Sequence, residues 1–213
     1  SNLRRLIVVP GQAIYLGGSY FYYYNPRNWI LEPYQSRWAS LSIRTFISHI
    51  YRALREALED HHSLLIYSGG QTRKTSNQTI SEAESYLRLS HQLGLLTGLG
   101  LNPGRITTVE FTTNGLTNVL CFFFKKKYTD NYWKQVTAVG QTVKSSRFTE
   151  LHLRALRYPK VSFDYITTAP EESDRIFYKP RSKRTDDEEK SFREAVEGER
   201  KVYLDFERDL YSC

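Results

Sequence analysis

An apolar run that drops straight into paired glycines and then into a helix start constrains this chain more than any other feature. It reads Leu64-Leu65-Ile66-Tyr67-Ser68-Gly69-Gly70-Gln71-Thr72-Arg73, followed by Ser81-Glu82-Ala83-Glu84-Ser85-Tyr86. A buried strand, a Ser-Gly-Gly turn and a helix capped by Ser81 form the unit from which α/β domains build ligand edges. Gly69 and Gly70 permit close backbone approach and positive φ, and the turn and helix-start N–H groups are expected to converge on one anion position.

The rest of the chain repeats this strand-then-helix rhythm. Short apolar runs over Leu6–Pro10, Ser63–Ser68, Arg105–Phe111, Gln135–Gly140 and Val161–Ile166 read as buried strands. Amphipathic stretches over Ser40–Glu59, Ser81–Leu93, Leu116–Tyr128 and Phe148–Arg157 read as the helices between them. The expected fold is therefore α/β: a Rossmann-like, doubly wound, mostly parallel sheet of about five strands with helices on both faces. Gly11–Ser36 is a long first crossover centred on Tyr20-Phe21-Tyr22-Tyr23-Tyr24, an aromatic cluster that packs the loop onto the body or offers a stacking platform. Gly94–Gly104 reads as a Gly-rich loop.

Residues 1–170 form the expected domain, and 171–213 a charged linker and an appended helix packing on it. Residues 1–170 hold 20 Lys and Arg against 10 Asp and Glu, whereas 171–213 hold 10 against 13. A basic body suits an anionic small molecule, an acidic protein surface or a nucleic-acid backbone. Lys125-Lys126-Lys127 is the densest basic run, and it ends a predicted helix. Lys183–Lys190 is almost wholly charged and reads as solvated, after which Glu189–Leu210 resumes a helical pattern with Phe192, Val196, Val202, Tyr203 and Phe206 available for docking. Cys121 and Cys213 have no metal-ligand spacing, and no apolar run approaches the ~20 residues of a membrane-spanning helix. The reading is of a soluble protein of open compartment, and whether a targeting region precedes Ser1 is left open. Asn77-Gln78-Thr79 is read as a chance glycosylation sequon.

Taken in order, several motifs resemble the YdcF/SanA-like family, catalogued as domain of unknown function number 218, and in particular its fungal and other eukaryotic members. They are Val8-Val9-Pro10 with Ala13-Ile14 and Gly17-Gly18; Trp29-Ile30-Leu31 with Pro33-Tyr34-Gln35; Phe46-Ile47-Ser48-His49-Ile50; the Ser68–Arg73 turn; the Ser81–Tyr86 helix start; Arg147-Phe148 with Leu151-His152, Ala155-Leu156-Arg157 and Pro159; and Asp209-Leu210-Tyr211 with Cys213. The resemblance implies a Rossmann-like fold; it leaves the cofactor open, and because one bacterial branch of the family is associated with S-adenosylmethionine binding, a nucleotide or S-adenosylmethionine-like ligand is a candidate. In a parallel sheet ligands bind beyond the carboxyl ends of the strands, where Gly11-Gln12, Ser68-Gly69-Gly70, Glu110 and Gly140-Gln141 are expected to gather, and the expected ligand contacts are Gln12, Ser68, Gly69, Gly70, Gln71, Thr72, Arg73, Glu82, Asn118 and Arg147.

Departures from the family pattern fall on ionisable positions. Gln12 stands where a His is usual, Arg37 and Trp38 where a small residue and a Glu are usual, and Gly115 and Thr117 replace a hydroxyl and a carboxylate. Gln, Trp and Thr cannot exchange protons near neutral pH as His and Glu do. The expectation is a catalytically degenerate copy that binds or scaffolds. The alternative is an active hydrolase or transferase on a phosphorylated or nucleotide-like molecule, with Glu110 as base and His152 as proton donor. A third reading is a basic subunit of a nucleic-acid-containing assembly.

Overall fold

The computed structural model describes residues 3–19, 22–71, 80–98, 100–110, 133–156, 159–168 and 185–208. Five strands form one sheet: β1 (Arg5–Pro10), β4 (Ser63–Ser68), β5 (Ile106–Val109), β6 (Gln135–Gly140) and β7 (Phe163–Thr167), in the order β5-β4-β1-β6-β7. Every pairing is parallel, with Val8 opposite Ile66 on one side and Ala138 on the other. The fold is the expected doubly wound α/β sheet.

Alternation along the strands explains the layers. Ile7, Val9, Leu65, Tyr67 and Val139 face one core, built with Phe46, Ile50 and Leu54 of α2 (Ala39–Glu59) and Tyr86 and Leu89 of α3 (Glu82–Gln92). Leu6, Val8, Leu64, Ile66, Val136 and Ala138 face the other, against Phe148 and Leu153. Strands buried on both faces read as continuous apolar runs, as these do. Helix α3 begins where expected, the Ser81 side chain accepting from Glu84 N–H.

The connections hold more structure than the sequence reading assigned. The first crossover contains a small antiparallel pair, β2 (Ile14–Tyr15) with β3 (Trp29–Ile30), and the short α1 (Pro33–Ser36). Trp29 anchors it, its ring 5.2 Å from Tyr15, 6.1 Å from Phe46 and 6.5 Å from Tyr86, and its Nε1–H donating to Tyr23 O. Tyr22 and Tyr24 stay exposed, with the Arg44 guanidinium 5.9 Å from the Tyr24 ring centre. The Gly94–Gly104 stretch holds α4 (Leu95–Gly98), whose Leu95 and Leu96 join the core. At the last strand, Val161 is 96 % exposed in a 3-10 turn and the strand begins at Phe163.

After β6 the chain winds as a π-helix over Arg147–His152 and continues as α5 (Leu153–Leu156). The C-terminal helix α6 (Asp186–Arg208) starts inside the charged run expected to be solvated, at Asp186. It docks through Val202 and Tyr203 on Leu151 and Ala155, and the Tyr203 hydroxyl donates to Glu150. The predicted helix over Leu116–Tyr128, with its triple lysine, and the Asn77 sequon lie outside the described residues. Among the described residues no helix is long and apolar enough to cross a membrane.

Candidate ligand crevice

Strand order fixes where a crevice opens. β4 and β5 lie to one side of β1, β6 and β7 to the other, so connections leave β1 and β6 in opposite directions at their carboxyl ends. Gly11-Gln12, Ser68-Gly69-Gly70, Glu110 and Gly140-Gln141 follow those ends, as the sequence reading placed them.

Gly69 and the start of α3 do not offer their donors outward. Gly69 N–H donates to Val109 O at 3.0 Å, Glu82 N–H to Gly70 O at 3.2 Å, and Ala83 N–H to Gly69 O at 3.2 Å. Glu84 N–H donates to Ser81 Oγ at 2.9 Å, and Ser85 N–H to Ser81 O at 3.0 Å. The helix-start N–H groups expected to converge on an anion are thus bonded within the turn. The turn also carries a buried carboxylate, Glu82, between two glycines. A Cβ on Gly11 would meet Glu82 Cβ at 2.5 Å and Oε2 at 2.7 Å, and one on Gly69 would meet the same atoms at 2.8 and 2.7 Å. The approach of Glu82 is therefore what requires glycine at both positions. Ser68 is buried, Gln71 is exposed, and Thr72, Arg73 and Asn118 lie outside the described residues.

Gln12 points the other way. Its N–H donates to the Tyr86 hydroxyl at 3.2 Å and its carbonyl accepts from Gln35 Nε2 at 2.9 Å. Its side-chain Nε2 donates to Pro10 O, and its Oε1 accepts from Lys144 Nζ. Glutamine is thus a structural clasp between β1, α1 and the turn after β6.

Among the described residues, Lys144 and Arg147 bring positive charge to this corner. Arg147 Nε sits 2.9 Å from Glu199 Oε1 of α6, with both side chains nearly buried at 9 % and 13 % exposure. Burial pushes the Glu199 carboxyl up from its usual range, while Arg147 and then Lys144 pull it down. His49 of α2 is wholly buried, and burial with the nearby Lys144 charge drives its imidazole down to about 3. Among the described residues neither His49 ring nitrogen has a hydrogen-bond partner, and the buried Thr142 Oγ1 has none either. Tyr165 closes the floor, its hydroxyl donating to Gln141 O at 2.8 Å over Gly140, where a Cβ would lie 2.6 Å from that hydroxyl.

The two residues expected to carry acid–base chemistry are not brought together. Glu110 is exposed at the end of the edge strand β5, accepting from Thr108 Oγ1. His152 is buried on the β6 side, its ring edge-on to Phe148 at 4.8 Å, and its imidazole is lowered to about 3 by burial and then by Arg147. Three strand spacings separate β5 from β6, roughly 14 Å. A neutral, buried imidazole so far from Glu110 cannot form a proton-transfer pair with it.

Sequence reasoning missed His49, Thr142, Lys144, Tyr165 and Glu199. Two of them had a legible signal. His49 occupies a core-facing position among Phe46, Ile50 and Ala53 of α2, and Glu199 lies three residues from both Val196 and Val202, filling a gap in the apolar stripe of α6. A titratable group on an apolar stripe is buried with its partner or as a functional group. Among the described residues no group of His, Cys, Asp and Glu could hold a metal ion.

Comparison with known proteins finds a relative without a described activity. The chain is 26% identical over 180 residues to the uncharacterized protein YOR238W of Saccharomyces cerevisiae. The alignment covers 68% of this chain and 58% of that protein, so the chain spans less than two thirds of its relative's length. No family model matches, and no solved structure matches.

Proposed function

We propose that this chain is a diverged member of the YdcF/SanA-like family, a Rossmann-like domain that binds or scaffolds and does not catalyse. One observation carries the reading: the switch-point corner is occupied by the chain's own side chains. Lys144 bonds Gln12, and Glu199 of the C-terminal helix sits against Arg147. A crevice in catalytic use needs its polar groups available to substrate, and here the chain itself engages them. The separation of Glu110 from His152 supports the same reading.

Calorimetric titration of the full chain with nucleotides, S-adenosylmethionine and sugar phosphates, with a parallel assay for turnover, tests it. The expected result is binding weaker than millimolar and no turnover. Turnover of any of them would establish a working hydrolase or transferase instead, and micromolar binding without turnover would make the chain a small-molecule-binding domain rather than a scaffold.

A further inference from the structure

The Glu199 contact has the chemistry of a ligand already in place. Its carboxylate enters from a separate helix and ends beside a nearly buried guanidinium, at the switch point where α/β folds take their ligands. Yet Glu199 is an imperfect occupant. Nε and Oε1 are 2.9 Å apart, but among the described residues Oε1 receives no aligned hydrogen bond. Polar atoms on the side of Lys144 are in the same condition: both nitrogens of the fully buried His49, which feels the Lys144 charge, and the hydroxyl of Thr142, in the same turn as Lys144, lack hydrogen-bond partners among the described residues. Native interiors rarely leave buried polar groups so, and a cluster of them at one corner marks a place shaped for something else.

Lys144 ties the cluster together. It donates to Gln12, and its charge acts on both His49 and Glu199. Among the described residues, the contacts of the helix that brings Glu199 include Arg37 with Glu194 at 2.7 Å, where both side chains are about two-fifths exposed, and the Tyr203 patch on α5 and its π-helical turn. A carboxylate that reaches its guanidinium from a separate helix, through a single ion pair, can be exchanged for a competing anion.

We propose that Lys144 and Arg147, with His49 and Thr142 beside them, form a binding site for the carboxylate or phosphate group of a small molecule, and that Glu199 is its displaceable internal occupant. The proposal rests on the reading of the corner as self-occupied and adds to it the ligand class and the means of regulation. α6 is then an autoinhibitory strap. A ligand anion takes the place of the Glu199 carboxylate and supplies acceptors to His49 and Thr142, which have no hydrogen-bond partner among the described residues.

The test uses the full chain and two probes, inorganic phosphate and acetate, titrated by calorimetry and by thermal shift. Glu199→Gln keeps the side-chain size and removes the competing charge. It should bind at least one probe tenfold or more tighter than the wild type, and that probe should raise its melting temperature by more than it raises the wild type's. Which probe gains assigns the site to phosphate or to carboxylate. Glu197→Gln removes an equal charge from an exposed part of α6 and should show no gain, while adding Lys144→Ala to Glu199→Gln should abolish it. Should Glu199→Gln fail to fold, Glu199→Asp, which shortens the occupant and keeps its charge, should still bind the probe more tightly than the wild type. No gain for either probe, or a gain matched by Glu197→Gln, overturns the proposal and leaves the scaffold reading standing. Tight binding of nucleotides or sugar phosphates by the wild type would overturn that reading instead.

Discussion

Two corners of one sheet edge, a few residues apart in the fold, have opposite polar economies. In the turn from β4 into α3, the N–H groups of Gly69, Glu82, Ala83, Glu84 and Ser85 all find acceptors within the turn or the neighbouring strand, and glycines make room for a buried glutamate. At the β6 corner, Lys144, Arg147 and Glu199 bury charge, while His49 and Thr142 have polar atoms with no partner among the described residues. Both were expected to be ligand edges, and among the described residues the second is where buried polar side chains lack partners. A glycine-rich turn can thus be glycine-rich for internal reasons, and the unsatisfied groups mark the more informative corner.

The sharpest way to break this comparison is at the satisfied corner. Gly11→Ala forces a methyl group to within 2.5 Å of Glu82 Cβ, which no rotamer of Glu82 relieves. It should destabilise the fold by about 3 kcal/mol in urea unfolding. Gly98→Ala in α4, with nothing within 4 Å, should be neutral or stabilising by about 0.5 kcal/mol. Equal effects at the two glycines would show that the close packing of the turn is not what holds it.

At the other corner the smallest effect is expected from the exposed tether. The Arg37–Glu194 pair has side chains 44% and 40% exposed. Exposed ion pairs stabilise by less than about 1 kcal/mol, so Arg37→Ala should shift unfolding by no more than that. A larger loss would mean that α6 is held mainly by its amino-terminal half and that Glu199 is incidental.

Most of the sheet was legible in the sequence because its strands are buried on both faces and interrupted by helix caps, as at Ser63–Ser68 and Ser81. The small β2–β3 pair was not, since two-residue strands leave no periodic trace and Trp29 is recognisable as an anchor only once Tyr15, Phe46 and Tyr86 surround it. The site was legible by place and misread by chemistry. Strand ends locate the crevice, but nothing in the local pattern says that the α3 donors bond within their own turn, or that Lys144 reaches back to Gln12. Arg147 was found, but the carboxylate that answers it lies 52 residues further along the chain, in a helix read only as docking.

The protonation of His49 tests the central claim most directly, that the β6 corner is closed over by the chain itself. Burial and Lys144 hold its imidazole at about 3, against roughly 6.5 in the unfolded chain. Between those values the unfolded state binds the extra proton, so the stability due to a neutral His49 is fully present above pH 6.5 and is lost as pH falls, by about 2 kcal/mol at pH 5. Nitrogen NMR of the labelled full chain, with the His49 signals assigned by their loss in His49→Leu, follows the ring itself. The account predicts a neutral imidazole in the folded chain at pH 5. An imidazole that titrates near 6.5 in the folded chain would mean an open, hydrated corner and would contradict it.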